Sequence, residues 1–232
     1  MKLSVNDVLK DSFEMVVKNF PGFFVLALFS QAGVLANIAF INDTGAAKEI
    51  LIDYLLYYVI FFWGALAMLY YAAGKYFNKE TTIKKALAGA MERFPLFFGV
   101  AAVVFAATMA GFAAFLIPGI YVMVIWGVAD AVAAYDDRDI AGCLRESKRL
   151  VDGSFWRVLG IIGILTLLTF MLGGIFSGLS ENIVFKWKPA AAYGPVLDEV
   201  ARALPDIIMA PLFAAATFIM YKRLNKIKRE DK

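Results

Sequence analysis

The sequence predicts an all-α integral membrane fold, six transmembrane helices with amphipathic cytoplasmic surface helices, and three observations predict it. Of 232 residues, 61% are hydrophobic and 19% charged, with a mean hydropathy of +0.70, more apolar than a soluble domain of this length requires. From Phe94 to Tyr135 the only charged residue is Asp130, and the only turn signal is Pro118-Gly119. At about 1.5 Å of rise per residue, roughly 20 apolar residues cross a hydrocarbon layer, so this stretch holds two spans. Finally, with the N-terminus taken as cytoplasmic, 19 of the 23 Lys and Arg residues fall on the inner side, leaving only Lys48, Lys186, Lys188 and Arg202 outside. One polytopic domain, 1–232, accounts for the chain, in the cell (plasma) membrane with both termini cytoplasmic.

Residues 4–19 place Val5, Val8, Leu9, Ser12, Phe13, Val16 and Val17 on one helical stripe opposite the charges, and Ser4 is a fitting N-cap. This is the first surface helix. The first span, 20–41, follows Pro21-Gly22 and contains Ser30, Gln31 and Asn37. The second, 51–73, carries tyrosines near its ends as interface anchors. Residues 81–93 read as a second surface helix, with Ile83, Leu87, Ala90 and Met91 at helical spacing. Spans 95–117 and 119–135 then meet at Pro118-Gly119.

Residues 139–152 form a third amphipathic helix, with Cys143, Leu144, Ser147, Leu150 and Val151 on one face. The fifth span is 155–179. A short periodic run, Val196, Leu197, Val200 and Leu204, is expected at the opposite interface. The sixth span, 204–221, has Pro205 in its opening turn and Pro211 further in, where it bends a helix. The units 4–74, 81–135 and 138–221 read either as three parallel repeats of a surface helix and a hairpin, or as the ordinary echo of six spans with basic inner loops.

Several function classes are excluded. There is no histidine and one cysteine, Cys143, so His- or Cys-based metal centres, Ser-His-Asp triads and intramolecular disulfides are ruled out. No catalytic constellation is present, and no cofactor is expected. The formal charge of +3 is not gathered into a patch with stacking aromatics, so nucleic acid is not an expected partner. The expected partners are membrane lipids, including anionic headgroups, and either another protein or a second copy of the chain.

The candidate intramembrane polar site is Asp130 with Ser30, Gln31 and Asn37. An acidic group at mid-membrane costs roughly 2.5–3.5 kcal/mol, and such groups usually mark a pathway or face a cavity. The alternative is an interfacial carboxylate, since Asp130 lies five residues before Tyr135. Thr108, Thr166, Thr169 and Thr217 either line a polar path or bond between helices. Asp53 and Asp206 are placed near outer span ends, in reach of solvent. Asp136, Asp137 and Asp139 could gather a divalent cation, but Arg138 interrupts them, and an acid-decorated helix start explains them more simply.

Ile117-Pro118-Gly119-Ile120-Tyr121 with Trp126, then Leu144, Ser147, Leu150, Gly153 and Phe155-Trp156-Arg157, resembles the glycerophosphoryl diester phosphodiesterase membrane-domain family and related six-span bacterial and archaeal membrane proteins. The resemblance covers roughly 110–165. It implies a standalone membrane domain in which Pro118, Gly119, Trp126, Ser147, Gly153 and Trp156 are structural. The hydrolase to which some relatives are fused is missing, so no phosphodiesterase activity carries over. The family often has a basic residue where Ile125 stands, and a proline or neutral residue where Asp130 stands. The expected role is membrane-organising, lipid-associated or regulatory; the alternative is a small transporter or channel for a solute or lipid that uses polar residues of the first and fourth spans.

Overall fold

The computed structural model describes residues 3–33, 47–77, 79–186 and 194–230, and the side chains among them other than those of 47–56, Val184 and Pro195. These residues form α1 (Val5–Lys18), α2 (Phe20–Ser30), α3 (Ala47–Tyr76), α4 (Ile83–Ala114), α5 (Leu116–Ile125), α6 (Ala129–Tyr135), α7 (Ile140–Val151), α8 (Phe155–Lys186) and α9 (Gly194–Glu230), with no strand among them. Five helices are long and apolar enough to cross a membrane, counting α5 and α6 as one, and six if the bent pair α1–α2 counts as another.

A helix forms where the first amphipathic pattern predicts one. Ser4 caps α1 by accepting from the Asp7 amide at 3.3 Å. At its other end the Asn19 side chain donates to the Met15 carbonyl at 2.9 Å, and the chain turns by 92° into α2. Pro21 sits in the first turn of α2, where its missing N–H costs nothing. The remainder of the expected first span, 34–41, lies outside the described residues.

The expected surface helix at 81–93 is not a separate element. Thr82 caps a helix that runs without interruption from Ile83 through Pro95 to Ala114. No Asn or Gly stands at 92–95 to turn the chain, as Asn19 does in the first unit and Gly153, at φ 79°, in the third. Packing on α3 holds this leading segment: Ala86 and Ala90 are buried, and the Trp63 indole donates to the Leu87 carbonyl at 3.1 Å. The middle unit therefore departs from the threefold pattern.

The turn between the third and fourth spans lies at Phe115, in extended backbone, rather than at Pro118-Gly119. Pro118 instead occupies the start of α5, again where no N–H is lost. Gly111 lets the hairpin close, because a Cβ there would stand 2.8 Å from the Gly119 Cα. The fourth span is also interrupted between α5 and α6, at Trp126-Gly127-Val128. Here Gly127 and Ala129 donate to carbonyls three residues back, at 3.1 and 2.9 Å, so the carbonyl of Ile125 is released. The Ser147 hydroxyl of α7 takes it up at 3.0 Å.

The last two helices are longer than the apolar segments that predict them. Helix α8 runs to Lys186, and α9 begins at Gly194 and absorbs the run expected at the opposite interface. Pro205 is thus inside a helix and not in its opening turn. The two helices extend together because they bond beyond their apolar windows, the Ser180 hydroxyl donating to the Asp198 carboxylate at 2.7 Å.

The core gathers on α3, α6 and α9. Ala129, Ala131, Val132, Ala133 and Ala134 make α6 nearly featureless, so its neighbours come close, and Phe218, Ile219 and Met220 of α9 are fully buried. By contrast, only 11% of the α4 apolar window and 17% of that in α8 are buried, so both helices turn apolar faces outward.

Candidate functional site

One stripe of α9 defines the site. Asp206, Met209, Ala210, Phe213, Ala214 and Thr217 recur at three- and four-residue intervals and all line one cavity of about 240 Å³. Facing them on α3 are Phe61, Ala65, Met68 and Leu69, with Asp130 from α6 and Thr169 from α8. Eleven residues separate Asp206 from Thr217, so the cleft follows α9 for about 16 Å. At about 30 Å³ of liquid per water molecule it holds fewer than ten waters.

Its polar groups are two carboxylates and two threonines, with no cationic side chain in the lining. Thr169 returns its proton to the Leu165 carbonyl at 2.9 Å. Among the described residues the carboxylates of Asp130 and Asp206 have neither ion pair nor hydrogen bond. Asp130 stands in the first turn of α6, which exists because the fourth span breaks at 126–128. Pro205 and Pro211 flank Asp206 on α9, each removing one rung of the helix ladder beside the cleft.

A layer of aromatic rings separates this cleft from the basic end of the bundle. Tyr135 packs on Phe218 and Tyr221, with ring centroids at 5.3 and 6.0 Å. Each tyrosine is held by its hydroxyl: Tyr135 donates to the Leu69 carbonyl at 2.7 Å, Tyr70 to the Ala134 carbonyl at 3.0 Å, and Tyr221 to the Asp136 carboxylate at 2.7 Å. Beyond the layer opens a vestibule of about 640 Å³, lined by Tyr135, Asp136, Arg138, Glu146, Arg149, Asn225 and Lys228 among others.

Charges in the vestibule are knitted together. Arg138 lies 3.5 Å from both Asp136 and Glu146, and the Arg149 Nε donates to Glu146 at 2.9 Å. Arg93 pairs with Asp137 and donates to the Asp136 carbonyl at 2.8 Å. Asp139 is the cap of α7, accepting from the Gly142 amide at 2.9 Å. The three aspartates thus serve a helix start and ion pairs, and among the described residues no group of three His, Cys, Asp or Glu could hold a metal ion. Nearby, burial and then the charges of Asp136 and Asp139 push the Cys143 thiol up from its ordinary range.

Of the expected polar site, only Asp130 lines the cleft. Ser30 is buried against Gly64 and donates to the Ala27 carbonyl at 2.7 Å. The buried amide of Gln31 has no hydrogen-bond partner among the described residues and faces elsewhere than the cleft. Asn37 lies outside the described residues. Thr169 and Thr217, expected either on a polar path or in bonds between helices, both line the cleft; sequence reasoning missed Asp206, expected in reach of solvent, and Met209, Ala210, Phe213 and Ala214 of its stripe, whose spacing was readable although the facing partner was not.

The motif residues behind the family resemblance all sit at joints. Pro118 and Gly119 start α5, Trp126 marks the break, Ser147 caps it, and Gly153 turns α7 into α8. Trp156 is 78% exposed beside that turn. Fold and site together define a helical bundle with membrane-length apolar helices around a narrow acidic cleft. Neither the family models nor the curated proteins nor the solved structures yield a match to this chain.

Proposed function

We propose that the chain is a multi-pass integral membrane protein of the cell membrane, with both termini cytoplasmic, that binds and passes a small cation or a proton along the cleft between α3 and α9. The observation that carries this reading is the pair Asp130 and Asp206 on one cavity, each without a neutralising partner among the described residues. An acidic group in a hydrocarbon layer costs roughly 2.5–3.5 kcal/mol, and two such groups are hard to account for unless a positive charge or water meets them there. The lining contains only acids, threonines and apolar groups, which selects a cation or a hydrogen-bond donor. At about 240 Å³ the cavity is smaller than the roughly 300–1,000 Å³ of sites that enclose drug-sized ligands, which argues against a bulky solute or a lipid. The aromatic layer at Tyr135 and Tyr221 is the barrier that such a path needs between its two ends.

The orientation is supported by Arg93, Arg138, Arg149, Lys228 and Arg229, which cluster at the vestibule end. Arg223 joins them, pairing with Asp11 and lying 3.6 Å from Asp7, so that α1 is docked on the basic end of α9. The outward apolar faces of α4 and α8 are what lipid would cover.

The test is ion and proton flux into proteoliposomes under an imposed gradient. Asp130→Asn and Asp206→Asn should each cut flux at least tenfold, while Glu181→Gln, an exposed carboxylate away from the cleft, should leave it unchanged. Flux that is absent for every small cation, or unaltered in both cleft variants, would refute the proposal. A lipid-associated, membrane-organising role is the second reading, favoured by the basic outer face of α7, where Arg145 and Lys148 are exposed.

A further inference from the structure

A second cleft, of about 420 Å³, lies where α7 crosses α5 and meets the start of α8. Its chemistry is divided. Arg145, Lys148 and Arg149 of α7 stand on one side, while Tyr121, Ile125 and Phe155 form the other. Tyr121 and Phe155 stack at 5.8 Å between centroids, which makes that wall aromatic. Arg149 is engaged by Glu146, but Arg145 and Lys148 have no ion pair among the described residues. The remaining charged group in the lining is Asp152, exposed at the end of α7.

Two uncommitted cations beside an aromatic wall suit a ligand that is anionic at one end and apolar along its length. A free phosphate would use the cations and leave the wall bare; a fatty chain alone would leave the cations unmatched. We propose that this cleft holds an anionic phospholipid, its phosphate against Arg145 and Lys148, a headgroup hydroxyl donating to Asp152, and its chains along Tyr121, Ile125 and Phe155. Asp152 opposes a headgroup that is only anion and welcomes one that also carries a donor. Trp156, exposed just beyond the cleft, supplies the amphipathic ring found at lipid headgroup level. Ser147 ties this cleft to the path, because its hydroxyl holds the carbonyl of Ile125 at the break above Asp130.

The inference rests on the membrane assignment, and the experiment separates the two. Purified protein in non-ionic detergent is titrated with dihexanoyl phosphatidylglycerol, dihexanoyl phosphatidylcholine and glycerol phosphate, and bound copies are counted by native mass spectrometry. Phosphatidylglycerol should bind about tenfold more tightly than either comparator, and an Arg145→Gln/Lys148→Gln variant should lose that advantage by roughly an order of magnitude. The control pair Lys84→Gln/Lys85→Gln, exposed on α4, should bind as the parent does. Because all four side chains are exposed, unchanged helical circular dichroism shows that both variants are folded. Equal binding of the two lipids, equal loss in both variants, or glycerol phosphate binding as tightly as the lipid would each overturn the proposal. A protein that stays in solution without detergent would remove the membrane assignment as well; a detergent-dependent protein without lipid preference removes this inference alone.

Discussion

Gly153 offers the sharpest test of how α7 is set against α8. Its φ of 79° lies in the left-handed region, and a Cβ built on it would have nothing within 4 Å. A Gly153→Ala substitution therefore adds no collision, and its whole cost is the left-handed backbone, about 1–2 kcal/mol for an L-residue. Reduced freedom of the unfolded chain returns part of this, roughly 0.4–1 kcal/mol, leaving a net loss of about 1 kcal/mol. Gly153→Asn should lose less, because Asn tolerates that region, and Gly153→Val should lose more. The assay is denaturant unfolding in detergent followed by circular dichroism, with Gly163→Ala as reference. Gly163 lies within α8 and also has open space at its Cβ, so alanine there should gain about 0.5–1 kcal/mol of helix propensity. Opposite signs at 153 and 163 are required; equal or increased stability for Gly153→Ala would refute the reasoning.

Three more substitutions or reactions probe the joints. Ser147→Ala leaves the Ile125 carbonyl without its donor and should destabilise by about 1–3 kcal/mol, with faster amide exchange confined to the break at 126–129. An exchange pattern there identical to the parent would contradict that role. Gly111→Ala forces a Cβ to 2.8 Å from the Gly119 backbone and should cost about 1–3 kcal/mol in the same unfolding assay, whereas a neutral result would mean that the α4–α5 hairpin is looser than described. Cys143 is buried and its thiol is pushed up in pKa, so maleimide at pH 7.5 should modify it only after denaturation. Rapid modification of the folded protein would show that α7 lifts away from the bundle.

What could be read in advance follows from which forces act locally. Apolar length located the helices because hydration acts on each residue whatever its neighbours are. The amphipathic helix before Gly153 was legible for the same reason, with a glycine to end it. The segment 81–93 has the same periodicity, yet Trp63 and Tyr70 of α3 decide its course, and no local signal reports a partner 24 residues away. The break at 126–128 was hidden because Trp126, Gly127 and Val128 are as apolar as the spans beside them; only the Ser147 donor explains why the freed carbonyl is tolerated. Hydropathy alone starts the last span at 204, which puts Asp206 in reach of solvent. Starting instead at Gly194, the helix carries Asp206 about three turns from its end, on the stripe that faces Asp130 across the cleft.

A cation path along α9 requires helices embedded in lipid with the basic ends of the chain on one face. Cysteines introduced singly at Lys84, Lys226 and Arg202 in a Cys143→Ala background, and treated with a membrane-impermeant maleimide, measure this directly. The account predicts that Arg202→Cys reacts in intact cells and that Lys84→Cys and Lys226→Cys react only after the membrane is opened. Labelling of Lys84→Cys and Lys226→Cys from opposite faces would contradict it.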